Sequence, residues 1–96
     1  MRVKWLSQAL ADLLALEQYV RRDSPAAAIR VVRQIRKATM QLRRFPASGR
    51  RGRVARTREL VVPKTPYLIV YRIKSNTIQV LSVLHGTRAW PEEFFE

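Results

Sequence analysis

The sequence predicts an α+β domain in the order β-α-α-β-β-β, with a helix hairpin laid on one face of a small, mostly antiparallel sheet. Three observations predict it. Apolar residues recur every three or four positions from Ala9 to Phe45, interrupted by the turn sequence Asp23-Ser24-Pro25. Beyond residue 57, three runs rich in β-branched and aromatic residues replace that period. These runs are separated by Pro63-Lys64-Thr65-Pro66 and by Ser75-Asn76, short punctuation that folds strands back on one another.

Taken in order, Arg2 to Leu6 alternates Val3 and Trp5 with basic residues, a short strand signal. A helix is expected from Ser7 to Arg22, with Ala9, Leu13, Leu16 and Val20 as its apolar stripe, flanked by Leu10 and Leu14. Asp12 near its start and Arg21-Arg22 at its end suit the helix dipole. Ser24 can cap a second helix and Pro25 can occupy its first position, where the missing N–H costs nothing. Ala28, Val31, Ile35, Ala38, Leu42 and Phe45 form its stripe; Arg30, Arg33, Lys37 and Arg44 give it a basic outer face, and Pro46 ends it. Residues 46–56 read as a loop in which two glycines permit unusual backbone angles and the arginines resist burial. Strands are expected over Thr57–Val62, Tyr67–Lys74 and Thr77–His85. Tyr67 to Ile73 is apolar on both alternating faces until Arg72, as a strand covered on both sides would be. The first strand is expected to insert beside a later one.

The 96 residues are expected to form a single domain spanning 1–96. Zero cysteines exclude disulfides and thiolate metal sites and fit a cytoplasmic location. One histidine and scattered carboxylates argue against a metal site, and nothing suggests a cofactor. No apolar run approaches the roughly 18 residues of a membrane span, and the N-terminus lacks a secretory h-region. Charge is the outlier. Nineteen Lys and Arg oppose seven Asp and Glu, for a net charge of +12. Eleven of the basic residues lie between Ser24 and Arg58, where no acid occurs, while Glu92, Glu93 and Glu96 stand in the last five positions. Such a field favours an anionic partner: nucleic acid, an anionic membrane surface or an acidic protein segment.

The segments RFPASGRRGRVARTRELVV (44–62), PYLIVYRI (66–73) and IQVLSVLHGTRAWP (78–91), in this order and spacing, resemble the RelE/ParE superfamily of toxins from type II toxin–antitoxin modules. The resemblance spans essentially the whole chain. It implies a cytoplasmic toxin whose basic groove accepts a cognate antitoxin across the helices and sheet. The superfamily has two branches: ParE-like inhibitors of DNA gyrase, and RelE-like endoribonucleases that cleave mRNA on the ribosome. RelE-like nucleases place lysines on the second strand, an arginine within a Tyr-Arg-Leu-Val-Tyr segment, and a tyrosine or His-Tyr pair near the C-terminus. This chain has Leu68 at the arginine's place, Glu59 within Arg58-Glu59-Leu60-Val61-Val62, and Trp90 but no tyrosine after His85. These departures favour the ParE-like branch. A degenerate, non-toxic basic binding domain is the third reading.

Individual residues carry paired readings. His85 is the candidate proton-transfer group of a nuclease, with Arg58, Arg72 and Arg88 near the phosphate; otherwise it ends the last strand. Arg50, Arg51, Arg53 and Arg56 can grip phosphates or the target, or form a solvated loop. Arg58 and Arg72 can instead pair with Glu59 or the C-terminal acids. Trp5 and Trp90 can stack on bases or pack as core, and Arg88 with Trp90 forms the C-terminal part of the expected target contact.

Overall fold

The computed structural model describes residues 1–86. Its elements are β1 (Arg2–Trp5), α1 (Ser7–Asp23), α2 (Pro25–Gln41), β2 (Arg50–Arg51), β3 (Arg58–Val61), β4 (Tyr67–Lys74) and β5 (Thr77–His85). The strands make one sheet in the order β1-β5-β4-β3-β2. β1 runs parallel to β5, and the other three pairings are antiparallel. The expected α+β class and element order hold, with β2 added inside the segment expected to be a loop.

The helix hairpin turns on one residue. Ser24 Oγ accepts the Ala27 N–H at 3.1 Å and caps α2, while the Ser24 N–H closes the end of α1 on the Val20 carbonyl at 3.0 Å. Pro25 holds the first helical position as expected. The helices then bury Ala9, Leu16, Ile35, Ala38 and Leu42 against Ile69, Tyr71, Ile78, Val80 and Val83 of the sheet, with Val3, Trp5, Leu13, Val31 and Leu60 partly buried around them. Trp5 therefore packs at the core rather than standing free to stack on a base. Strand alternation turns Leu68 and Val70 to the other side of the sheet, where they cluster with Leu6, Leu81 and Leu84. A bulge in the β4–β5 register, where Val70 faces Ser82 but Tyr71 faces Val80, leaves Leu81 as the extra residue.

Three details depart from the sequence reading. α2 ends at Gln41 rather than running to Pro46. The N–H groups of Leu42, Arg43 and Arg44 each bond the carbonyl three residues back, which tightens and unwinds the chain. Phe45 is thereby carried off the stripe and is 60% exposed. Second, no glycine has a positive φ; among the described residues the left-handed ones are Arg56, Lys64, Ser75 and Asn76. The last two form the hairpin turn between β4 and β5, as two consecutive left-handed residues should. Third, Asp12 acts beyond its helix. β1 stops pairing at Val80, and beyond it the Asp12 carboxylate meets the β5 backbone, accepting the Val83 N–H at 3.0 Å and the Ser82 hydroxyl.

Candidate functional site

The arginine-rich segment forms a short hairpin, β2 to β3, fastened from beneath by a tyrosine. Tyr71, fully buried on β4, donates its hydroxyl to the Pro46 carbonyl at 2.7 Å and accepts the Gly49 N–H at 3.0 Å. Arg58 faces Tyr71 across the β3–β4 ladder, and its guanidinium donates to the carbonyls of Gly49 at 2.8 Å and Ala47 at 3.3 Å. Four backbone groups of residues 46–49 are thus held by two side chains from the sheet. Gly49 is required for the approach itself: a Cβ there would lie 2.7 Å from the Tyr71 hydroxyl, 2.8 Å from its ring and 2.9 Å from the Glu59 carbonyl.

The hairpin tip closes through the Gly52 N–H on the Thr57 carbonyl at 2.8 Å, while the Thr57 N–H and hydroxyl both reach the Val54 carbonyl. Arg50, Arg51, Arg53 and Arg56 are exposed along this hairpin, Arg56 on a left-handed backbone. Arg50 pairs with the buried carboxylate of Glu59, its ladder partner on the same face. Among the described residues the other Glu59 oxygen is buried with no hydrogen-bond partner, so Arg50 is the charge that makes this burial tolerable.

Burial pushes the Tyr71 phenol above its ordinary value of 10.0, against the opposing pull of the Gly49 N–H, the Arg58 charge and Ser48. The folded state therefore favours the neutral phenol. Its contribution to stability is fully present below pH 10 and is lost as pH rises through the higher folded value. Tyr71→Phe should cost about 1–3 kcal/mol at neutral pH, since it strands the Gly49 N–H and the Pro46 carbonyl, and should abolish that alkaline loss. Urea unfolding of both proteins across this pH range measures both effects.

The remaining candidates lie elsewhere. His85 ends β5 opposite Tyr67, with the two rings edge to face at a centroid distance of 5.6 Å. Arg58 faces Tyr71, four residues farther along β4, which places it about 13 Å along the sheet from His85. Arg72 is one residue farther still, on the opposite face, and its Nε donates to Gln79 at 2.6 Å. The nuclease grouping of His85 with Arg58 and Arg72 is therefore not brought together. The proposed pairing of Arg58 with Glu59 also fails, because adjacent strand residues point to opposite faces. Arg72 finds an amide rather than Glu59. Arg88, Trp90 and the C-terminal acids lie outside the described residues.

A second feature was not read from the sequence. Between the outer faces of α1 and α2 runs a groove of about 680 Å³, with Ala28, Ile29, Val32 and Met40 on its apolar surface; Arg33, Arg36 and Lys37 stand around them with Arg21, which is paired to Glu17 at 3.4 Å. Ile29 and Met40, 59% and 50% exposed, are its uncovered apolar positions. Both fall outside the stripe that defined the helix, which is why periodicity passed over them. Among the described residues no helix is long and apolar enough to cross a membrane, and no cluster could hold a metal ion.

The site and its scaffold are thus a basic helix hairpin on a five-stranded sheet, with a braced arginine hairpin at the sheet's edge. Residues 3–90 match the family described as the ParE toxin of the type II toxin–antitoxin system parDE, and the chain belongs to that family. It is 44% identical over 91 residues to "Putative toxin Y4kP" of Sinorhizobium fredii, covering 95% of this chain and 94% of that protein. It is 36% identical over 87 residues to "Toxin RelE2" of Caulobacter vibrioides, covering 91% and 97%. Among solved structures it resembles a chain of the chromosomal ParDE system from P. aeruginosa, with a TM-score of 0.79 and 30% identity over 88% of this chain and 95% of that one.

Proposed function

We propose that the chain inhibits DNA gyrase by binding, as a ParE-like toxin, and is neutralised by a cognate antitoxin. The observation that carries the choice of branch is the separation of His85 from Arg58 and Arg72 along β4. A phosphodiester cleaved by 2′-hydroxyl attack needs a proton acceptor and cations around one phosphorus, within a few ångströms. Leu68, where a RelE-like nuclease carries its arginine, is buried at 7% exposure and supplies packing alone. The resemblance to a ParDE structure and the match to a ParE family support the same branch. In this reading Arg50, Arg51, Arg53 and Arg56, together with Arg88 and Trp90, contact the target. The apolar groove on the helices, lined by Arg33, Arg36 and Lys37 and by the Arg21–Glu17 ion pair, keeps a net basic rim suited to an acidic amphipathic segment and receives the antitoxin.

The test is supercoiling by gyrase in the presence of the purified chain. Inhibition is expected, relieved by the antitoxin, and His85→Ala should inhibit as well as the parent once the folded fraction is equal. Cleavage of ribosome-bound mRNA that falls roughly 10²–10⁴-fold in a folded His85→Ala protein would overturn this reading in favour of the nuclease.

A further inference from the structure

The strand register gathers a second cationic surface, far from the arginine hairpin in sequence and made from three strands. Thr77 of β5 lies between Arg2 of β1 and Lys74 of β4; one step along, Gln79 lies between Lys4 and Arg72. Val3, Trp5, Tyr71, Ile78 and Val80 belong to the helix-side core, so the residues alternating with them share the opposite face. Arg2, Lys4 and Lys74 are exposed, and Arg72 is half-buried with its guanidinium oriented by Gln79. Glu59 of β3, already engaged by Arg50 of β2, is the only acid in the five described strands.

The chemistry of this corner distinguishes it from the groove on the helices. An acidic peptide needs apolar anchors, and the groove offers Ile29, Val32 and Met40. The corner offers four cations interleaved with an amide and a hydroxyl, and the exposed Ser75-Asn76 turn adjoins it. Arg, Lys, Ser, Thr, Asn and Gln are the side chains that bind nucleic-acid phosphates and sugars. Spacing agrees. Residues two apart on a strand lie about 6.7 Å apart, comparable with successive phosphates along a nucleic-acid chain, and β1 and β4 set two such rows roughly 9.5 Å apart.

We propose that this corner, formed by Arg2, Lys4, Arg72 and Lys74 with Thr77 and Gln79, binds the sugar–phosphate backbone of a nucleic acid without reading its sequence. The proposal is independent of the gyrase reading, because it concerns direct binding by the chain alone.

The experiment follows the anisotropy of a short labelled DNA duplex titrated with the full chain between about 50 and 200 mM salt. Lys4→Gln/Lys74→Gln removes two exposed charges that make no hydrogen bond or ion pair among the described residues. Arg22→Gln/Arg30→Gln removes the same charge from the helix-hairpin tip. The first variant should flatten the slope of log affinity against log salt by about two and weaken binding by roughly tens of fold near 0.1 M salt, while the second stays close to the parent. A larger effect on the duplex than on single-stranded RNA of the same length would identify DNA as the natural source of the phosphates; the reverse would identify RNA. Equal losses in both variants would reduce the effect to net charge and overturn the proposal, as would no loss in the first. An equal loss of polyglutamate binding in the first variant would overturn the phosphodiester assignment.

Discussion

Ile35→Ala is expected to lower folding stability by about 2–5 kcal/mol, the cost of emptying a fully buried aliphatic site. Ile35 sits at 0% exposure on the inner face of α2, in the same cluster as Leu16, Leu42, Ile69 and Tyr71. It therefore links both helices to the central strand. A domain of this size has a total stability of roughly 5–10 kcal/mol, so the substitution removes a large share of it. The melting temperature should fall by about 4–8 °C per kcal/mol lost. Equilibrium unfolding in urea gives the free energy, and Ile29→Ala gives the contrast. Ile29 belongs to the same helix but is 59% exposed, so its truncation should change stability by less than about 0.5 kcal/mol. Near-equal losses at the two positions would show that the inner face of α2 has been misidentified.

Gly49→Ala is the second large effect, and it tests the brace under the arginine hairpin. The added methyl meets the Tyr71 hydroxyl, the Tyr71 ring and the Glu59 carbonyl, all under 3.0 Å. Neither neighbour yields easily: Tyr71 is fully buried and Glu59 contributes ladder backbone. Overpacking of this kind costs about 1–3 kcal/mol, and displacing the tyrosine adds the loss of its hydrogen bonds. Toxicity should fall further than the folded fraction does, because residues 46–49 deliver the chain into Arg50 and Arg51. Combining Gly49→Ala with Tyr71→Phe removes the closest clash, so the double variant should be less destabilised than the sum of the two, with a coupling of about 0.5–3 kcal/mol. Simple additivity would show that the tyrosine hydroxyl does not position the hairpin.

Much of this fold was legible because its signals are periodic and local. The stripe through Ala28, Ile35 and Leu42 located α2, and the Ser24-Pro25 pair located its start to the residue. Two left-handed residues were inferable from the two-residue spacing at Ser75-Asn76. What depended on distant partners was not legible. Arg50-Arg51 is too short to show alternation, and becomes β2 only because β3 lies beside it. Tyr71 reads as core, and nothing local says that its hydroxyl reaches residues 46–49, some 25 positions away. The glycine at position 49 was visible, but its reason was space rather than backbone angle. For the candidate site the same division holds. The arginines were visible as a charge run, whereas the distance between His85 and Arg58 is a property of register alone.

The carboxylate of Asp12 has a consequence for how copies of the chain behave in concentrated solution. A sheet edge with free N–H groups and apolar side chains is a template on which another chain can lay a strand, the first step towards aggregation. Both outermost strands are defended by charge, Arg2 and Lys4 on β1 and Arg50 and Arg51 on β2. The stretch of β5 from Leu81 to Leu84, beyond the reach of β1, has no such defence in its own sequence. Asp12, from the neighbouring helix, occupies the Val83 N–H and so removes a backbone donor that an incoming strand would need. One acid, supplied from 71 residues away, thus helps keep a hydrophobic strand end from templating its own assembly.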